Sequence, residues 1–145
     1  MPTILENLER TLRGELPPPP VAQLIGFRLT SVRRGEAVLA LEAGAAHANP
    51  MGTLHGGILC DIADAAMGMA FASTLDEGET FTTLELKINF LKPVWNDRLT
   101  ATGRVVQRGK TVGLTECTVT NAKGDRVAFA TSTCMALRGE KARGR

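Results

Sequence analysis

Two features of one stretch bring together residue types that can attack a carbonyl. The stretch runs Asn49-Pro50-Met51-Gly52-Thr53-Leu54-His55-Gly56-Gly57 and opens an apolar segment, Ile58 to Ala72, whose only charged residues are Asp61 and Asp64. A helix start has backbone N–H groups without partners, and the positive end of the helix dipole lies there. With two glycines at that start, no bulky side chain shields those groups, so an anion or a polarised carbonyl oxygen is favoured. Asp64, nine positions after His55, sits among small apolar residues. An unpaired carboxylate is costly in such surroundings, and its basicity is tunable by burial. A group that stabilises charge on a carbonyl oxygen and a carboxylate that attacks or activates water are the two parts such chemistry requires.

Each residue also has a plainer reading. Asp64 is equally of the type that caps a loop or pairs with an arginine, and the glycines of the type that permit close packing. Asn49 is a common turn former. Asp61 reads as a partly exposed or paired helix residue, and His47 as a solvated loop residue. Arg108 and Lys110 flank a turn glycine; they suit a phosphate, or simply a charged hairpin tip.

Spacing adds a statement about assembly. Asp64 lies seven positions past Gly57, so both fall on nearly the same helix face, separated by a rise of about 10 Å. A carbonyl polarised at Gly56 is then out of reach of the same chain's Asp64. A second chain, its helix antiparallel across a two-fold axis, brings its own Asp64 alongside. The spacing points to a shared site.

The helix that carries these residues is apolar almost all the way round, which predicts burial. Asp61, Asp64 and Gly68 interrupt it too often for a membrane span. Its ~20 residues give a length of about 30 Å, which only a large curved sheet can wrap in a short chain. Strands are predicted over 27–32 and 36–42, joined at Arg33-Arg34-Gly35, and over 81–91, 99–107, 112–120 and 127–137. In the strand 81–91, strict alternation puts Thr82, Leu84, Leu86, Ile88 and Phe90 on one face, and Thr83, Glu85, Lys87 and Asn89 on the other. The last three strands join through short turns and are antiparallel neighbours. The order β-β-α-β-β-β-β defines an α+β fold, a curved antiparallel sheet around one helix. Thr3-Ile4-Leu5-Glu6 has the form of a capping box, and the apolar spacing after it predicts a short helix over 3–14. Pro17 to Pro20 read as a stiff connector. The chain thus divides into an N-terminal helix and connector (1–20), the main domain (21–138) and a charged tail (139–145).

A chain of 145 residues with 43% hydrophobic content suits one domain. A net charge of +2 without a concentrated basic face argues against a nucleic-acid binder. The three cysteines, Cys60, Cys117 and Cys134, lie in apolar segments and read as buried reduced thiols. No Cys or His pair has metal-ligand spacing. No secretory signal is evident, and a cytoplasmic protein is the expectation.

The order of elements resembles the hotdog fold. The string Asn49 to Gly57, Asp64 nine positions after His55, and Phe90-Leu91-Lys92-Pro93 closing the strand after the helix resemble the PaaI-type (phenylacetate-pathway) acyl-CoA thioesterases. The resemblance covers roughly residues 22–137. It implies hydrolysis of an acyl-CoA thioester, with coenzyme A as part of the substrate and no separate cofactor or metal. It implies Asp64 as the catalytic carboxylate and the Gly56 N–H as the group that polarises the carbonyl. Asn49 orients water or substrate, His55 has a supporting role, and Gly57 is placed at the substrate. Some relatives hold the water with a Ser in the strand after the helix, a position that reads as Thr83 here. Members usually work as dimers of dimers with the site between subunits, acting on neither nucleic acid nor membrane. Aryl, phenylacetyl and medium-chain acyl groups all suit an apolar pocket. Two other readings stand beside this one: a hotdog hydratase or dehydratase on acyl-CoA or acyl carrier protein, and a non-catalytic acyl-CoA-binding module. The first usually needs a His on the helix, and this helix interior has none.

Overall fold

The structure is a computed structural model that describes all 145 residues. Its helices are α1 (Ile4–Leu12), α2 (Pro20–Ile25) and α3 (Gly56–Ala72). Its strands are β1 (Arg28–Arg33), β2 (Glu36–Ala43), β3 (Thr80–Phe90), β4 (Asp97–Arg108), β5 (Val112–Thr120) and β6 (Arg126–Leu137). The strands form one six-stranded antiparallel sheet in the order β1-β2-β4-β5-β6-β3. Bulges in β1, β3, β4 and β6 raise the local twist, so the sheet curls around α3. The expected fold class, the order of strands along the chain and the pairing of the last three strands hold, while the pairings of β2 with β4 and of β3 with β6 were not foreseen.

The centre of α3 lies almost directly on the sheet. A Cβ built on Gly103 of β4 would fall 2.4 Å from the backbone carbonyl of Ala66, so helix and strand touch backbone to backbone. The small residues Ala63, Ala66 and Ala70 permit this approach, while Leu59, Ile62, Met67 and Phe71 fill the space to either side. Burying each of these larger side chains contributes roughly 1.5–3 kcal/mol.

Both ends of α3 are tied down, which fixes where its chemical groups point. At the C-terminus, Ser73 Oγ donates to the Ala70 carbonyl at 2.7 Å and Thr74 Oγ1 to the Phe71 carbonyl at 2.6 Å. Ser73 Oγ also accepts the Gly35 N–H at 2.7 Å, joining the helix end to the β1–β2 turn. At the N-terminus, the loop before α3 carries a 3-10 turn, Ala45–His47. There the His55 N–H donates to the His47 carbonyl at 2.9 Å and the Leu54 N–H to the Val94 carbonyl at 2.7 Å. His47 is more than a solvated loop residue. Its Nδ1 accepts the Gly44 N–H at 3.1 Å, and its Nε2 pairs with the Ile25 carbonyl at 2.7 Å, pinning this loop to α2.

Three local expectations change. Pro20 does not extend a stiff connector: it starts α2, where a missing N–H and a fixed φ suit the first helical position. Helix α3 is not buried all round, because β3 is the sheet edge and leaves Asp61 and Asp64 exposed with Gly57 and Cys60 half-exposed. Lastly, a bulge lies between Thr83 and Glu85, where Leu84 is the extra residue. It reverses the alternation, so Phe81 and Thr83 before it face α3, as do Leu86 and Ile88 after it.

Candidate functional site

The bulge in β3 has a direct consequence for the site. It turns the Thr83 hydroxyl toward α3, where Oγ1 donates to Asp64 Oδ1 at 3.2 Å. Behind it stands Cys134 Sγ, 3.9 Å from Thr83 Oγ1. Ser132 and Thr115 continue this polar file into the sheet, with their hydroxyl oxygens 2.5 Å apart. Burial pushes the Cys134 thiol up, so it faces Thr83 as a neutral group. Asp64 is exposed in the single chain, which corrects the expectation of an apolar enclosure. Asp61, one turn earlier, has its carboxyl raised above the ordinary range by partial burial and then by the Asp64 charge. Two carboxylates so close in one depression, with Cys60, Thr83 and Glu85 around them, repel each other's charge.

The N-terminus of α3 forms a second centre. His55 is the N-cap, and its Nδ1 accepts the Gly57 N–H at 2.8 Å. That N–H is therefore engaged, and Gly57 serves the cap by shape: a Cβ there would lie 2.9 Å from His55 Nδ1. The Gly56 N–H, at the first helical position, has no acceptor in the chain. It is the free donor of the pair. Gly56 is covered instead by the Phe90 ring, whose Cζ lies 2.9 Å from where a Cβ would be. Gly56, Leu59, Phe90, Lys92 and Val94 line a pocket of about 420 Å³. This pocket shares no residue with the depression around Asp64.

Asn49 shapes the loop leading into Gly56. Its Oδ1 accepts the Met51 and Thr53 N–H groups at 2.9 and 3.2 Å, and its Nδ2 donates to Thr53 Oγ1 at 2.7 Å. Gly52, at φ +91°, completes this turn in a conformation other residues rarely adopt. Arg108 and Lys110 lie at the opposite end of α3, about 25 Å of helix away from Gly56. The Arg108 guanidinium stacks 4.8 Å from the Phe71 ring centroid and donates to Thr74 Oγ1 at 2.9 Å. Its partners are internal, and it closes the β4–β5 hairpin.

The chain thus brings Asp64 and Thr83 together, and separately His55, Gly56, Gly57 and Asn49. It does not bring the two groups to one another. Sequence reasoning missed the Phe90 ring over Gly56 and the Cys134 contact behind Thr83. The Phe90-Leu91-Lys92-Pro93 string was the available signal for the first; no local pattern announces the second.

A curled six-stranded antiparallel sheet wrapped around one long central helix is the hotdog fold. Residues 51–128 match the Thioesterase superfamily, and the chain belongs to it, as a PaaI-type hotdog thioesterase. It is a thioester hydrolase. The chain is similar to acyl-coenzyme A thioesterase PaaI of Escherichia coli, 32% identical over 109 residues, which are 74% of this chain and 76% of that one. The solved structure of that protein superposes with a TM-score of 0.82 at 26% identity, covering 94% of this chain and 95% of the other. A phenylacetic acid degradation-related protein from Ralstonia eutropha is 34% identical, with a TM-score of 0.81 over 88% of this chain and 98% of its own. The 1,4-dihydroxy-2-naphthoyl-CoA hydrolase of Listeria monocytogenes is 30% identical over 68% of this chain and 80% of its own.

Proposed function

We propose that the protein hydrolyses the thioester of an acyl-CoA carrying an aryl, phenylacetyl or medium-chain acyl group, giving the free acid and coenzyme A. One observation carries the reading. Asp64, with Thr83 donating to it, stands on the uncovered stripe of a helix whose first N–H, on Gly56, has no acceptor. The names of the relatives, hydrolases of acyl-coenzyme A and naphthoyl-CoA, support the same chemistry.

The Gly56 N–H donates to the thioester oxygen and stabilises the charge that develops there. Asp64 then either takes a proton from a water that adds to the carbonyl carbon or attacks that carbon itself. In both routes the carbon–sulfur bond breaks and the coenzyme A sulfur leaves as a thiol once protonated. In the second route water then hydrolyses the mixed anhydride. Thr83 orients the carboxylate or its water. Asn49 and His55 hold the turn that aims Gly56, and the second Nδ2 hydrogen of Asn49 serves the water or substrate. The reaction uses no group beyond coenzyme A, which belongs to the substrate.

The site is completed by a second chain. Strand β3, 11 residues long, pairs only with β6, and its other edge is open. An unpaired edge of that length invites pairing with a copy of itself. Leu84, Phe90, Leu91 and Trp95, each more than half exposed, add apolar surface on β3 and just beyond it. An antiparallel two-fold pairing sets the two α3 helices side by side, so that Gly56 and Asn49 of one chain meet the partner's Asp64. A dimer of such dimers is the assembly we assign. Lys110, whose ammonium makes no ion pair, is the charge assigned to the coenzyme A phosphates, while Arg108 stays engaged with Phe71 and Thr74. A panel of acyl-CoA thioesters assayed for free thiol tests the reading. Turnover on aryl or medium-chain substrates that vanishes in Asp64→Asn supports it. Coenzyme A binding without thiol release from any substrate overturns it in favour of a binding module.

A further inference from the structure

The Asp64–Thr83 pair borders two depressions of opposite character. One is polar, with Asp61, Cys60 and Glu85. The other lies between α1 and α3, and its remaining lining is apolar: Ile4 and Leu8 from α1, Gly68 and Met69 from α3, and Phe81 from β3 among them. A carboxylate at the mouth of an apolar pocket places the reacting carbon there and leaves the apolar side to whatever hangs from that carbon. We propose that the acyl group of the substrate seats in this pocket between α1 and α3, and that Ile4 and Leu8 form the wall that sets the acyl size accepted. This rests on the thioesterase reading above and gives it a substrate range.

The wall is built into the fold. The capping box at Thr3 and Glu6 fixes the first turn of α1, with Thr3 N–H to Glu6 Oε2 at 2.7 Å and Glu6 N–H to Thr3 Oγ1 at 3.2 Å. The N-terminal ammonium pairs with Glu77 at 3.0 Å, and Ile4 packs on the Phe71 cluster. No residue of α1 is fully buried, so its side chains can be changed without opening the main core. At the inner end, Phe81 lies over Gly68, where a Cβ would meet its ring at 3.1 Å. The pocket holds about 240 Å³. An apolar cavity of roughly 150 Å³ takes a benzene ring, so this one takes a single aryl ring with a short linker or a chain of about eight carbons.

The test is the ratio of kcat/KM values across acetyl-, hexanoyl-, octanoyl-, decanoyl-, hexadecanoyl- and phenylacetyl-CoA. Wild type is expected to favour octanoyl- and phenylacetyl-CoA over both acetyl- and hexadecanoyl-CoA. Leu8→Ala lengthens the pocket; at about fourfold per buried methylene, the decanoyl-to-hexanoyl ratio rises ~15-fold. Ile4→Trp fills it and lowers octanoyl- and phenylacetyl-CoA relative to acetyl-CoA by ~10-fold or more. Leu12→Ala, on the same helix but outside the pocket, leaves the ratios unchanged. Circular dichroism checks that each variant is folded, and Leu8→Ala alone carries the test if Ile4→Trp is not. If wild type turns over thioesters but neither ratio moves by more than twofold, the pocket assignment is overturned and the thioesterase reading stands. If no thioester is hydrolysed, both fall.

Discussion

Removing the Thr83 hydroxyl isolates the contact on which the catalytic assignment turns. Thr83→Val keeps the shape of the side chain and deletes only the donor to Asp64, 3.2 Å away. A hydrogen bond to a charged group contributes about 1.5–3 kcal/mol. This one is long and borders solvent, so the lower end applies, about 1.5 kcal/mol, which corresponds to roughly tenfold in rate. The loss is expected in kcat, because Thr83 orients the attacking group and not the bound thioester. KM is expected to stay within about twofold, and Thr83→Ser to recover most of the rate. The assay is thiol release from phenylacetyl- or octanoyl-CoA, with melting temperature measured on the same samples. The valine fits the same space beside Cys134, so stability should hold. A Thr83→Val enzyme with kcat within twofold of wild type would refute the claim that the hydroxyl positions the carboxylate or its water.

Further outcomes follow from other contacts. Asp64→Asn should remove more than about 99% of turnover and Asp61→Asn far less, measured by the same assay; equal losses would mean that the roles are shared. Asp61→Asn should also raise the melting temperature near pH 7. Its carboxyl is raised above the ordinary 3.8 in the fold, so folding is penalised once the group ionises, and the gain should vanish below pH 3.8, where both states are protonated. Gly103→Ala forces a methyl into the Ala66 backbone and should cost about 2 kcal/mol or more, read as a melting point lower by roughly 6 °C. Gly56→Ala must displace the exposed Phe90 ring, and kcat should fall more than coenzyme A affinity; a rise in KM alone would make Gly56 a packing position.

The fold was largely legible because its signals are local. The capping box at Thr3, the small apolar residues of α3 and the turn glycine Gly35 each specify their own element. The β1–β2 and β4–β5–β6 pairings followed from short connections, whereas β2–β4 and β3–β6 join strands far apart in the chain. What failed was non-local. The bulge at Leu84 has no sequence mark of its own, yet it moves Thr83 from the outer face to the side of Asp64. The exposure of Asp64 could not be read from α3, because it depends on β3 being the sheet edge. The free donor was legible only as a pair of glycines; which N–H stays free depends on the His55 ring turning back to cap Gly57. Helix α1 was read correctly as a helix, but nothing in its pattern says that Ile4 and Leu8 return to the neighbourhood of Asp64.

The separation of Gly56 from Asp64 on one helix makes the shared site the central claim, and complementation tests it most directly. Gly56→Pro deletes the free N–H at a helical position where proline is tolerated, and the half-exposed Phe90 ring is free to shift. This chain and the Asp64→Asn chain are each expected to be inactive alone. Mixed and allowed to exchange subunits, half the dimers become hybrid, and each hybrid carries one site with both lesions and one with neither. About a quarter of wild-type turnover is then expected to return, in proportion to the hybrid population read by native mass spectrometry. Hybrid dimers that form in that proportion and remain inactive would contradict the account and put the whole site within a single chain.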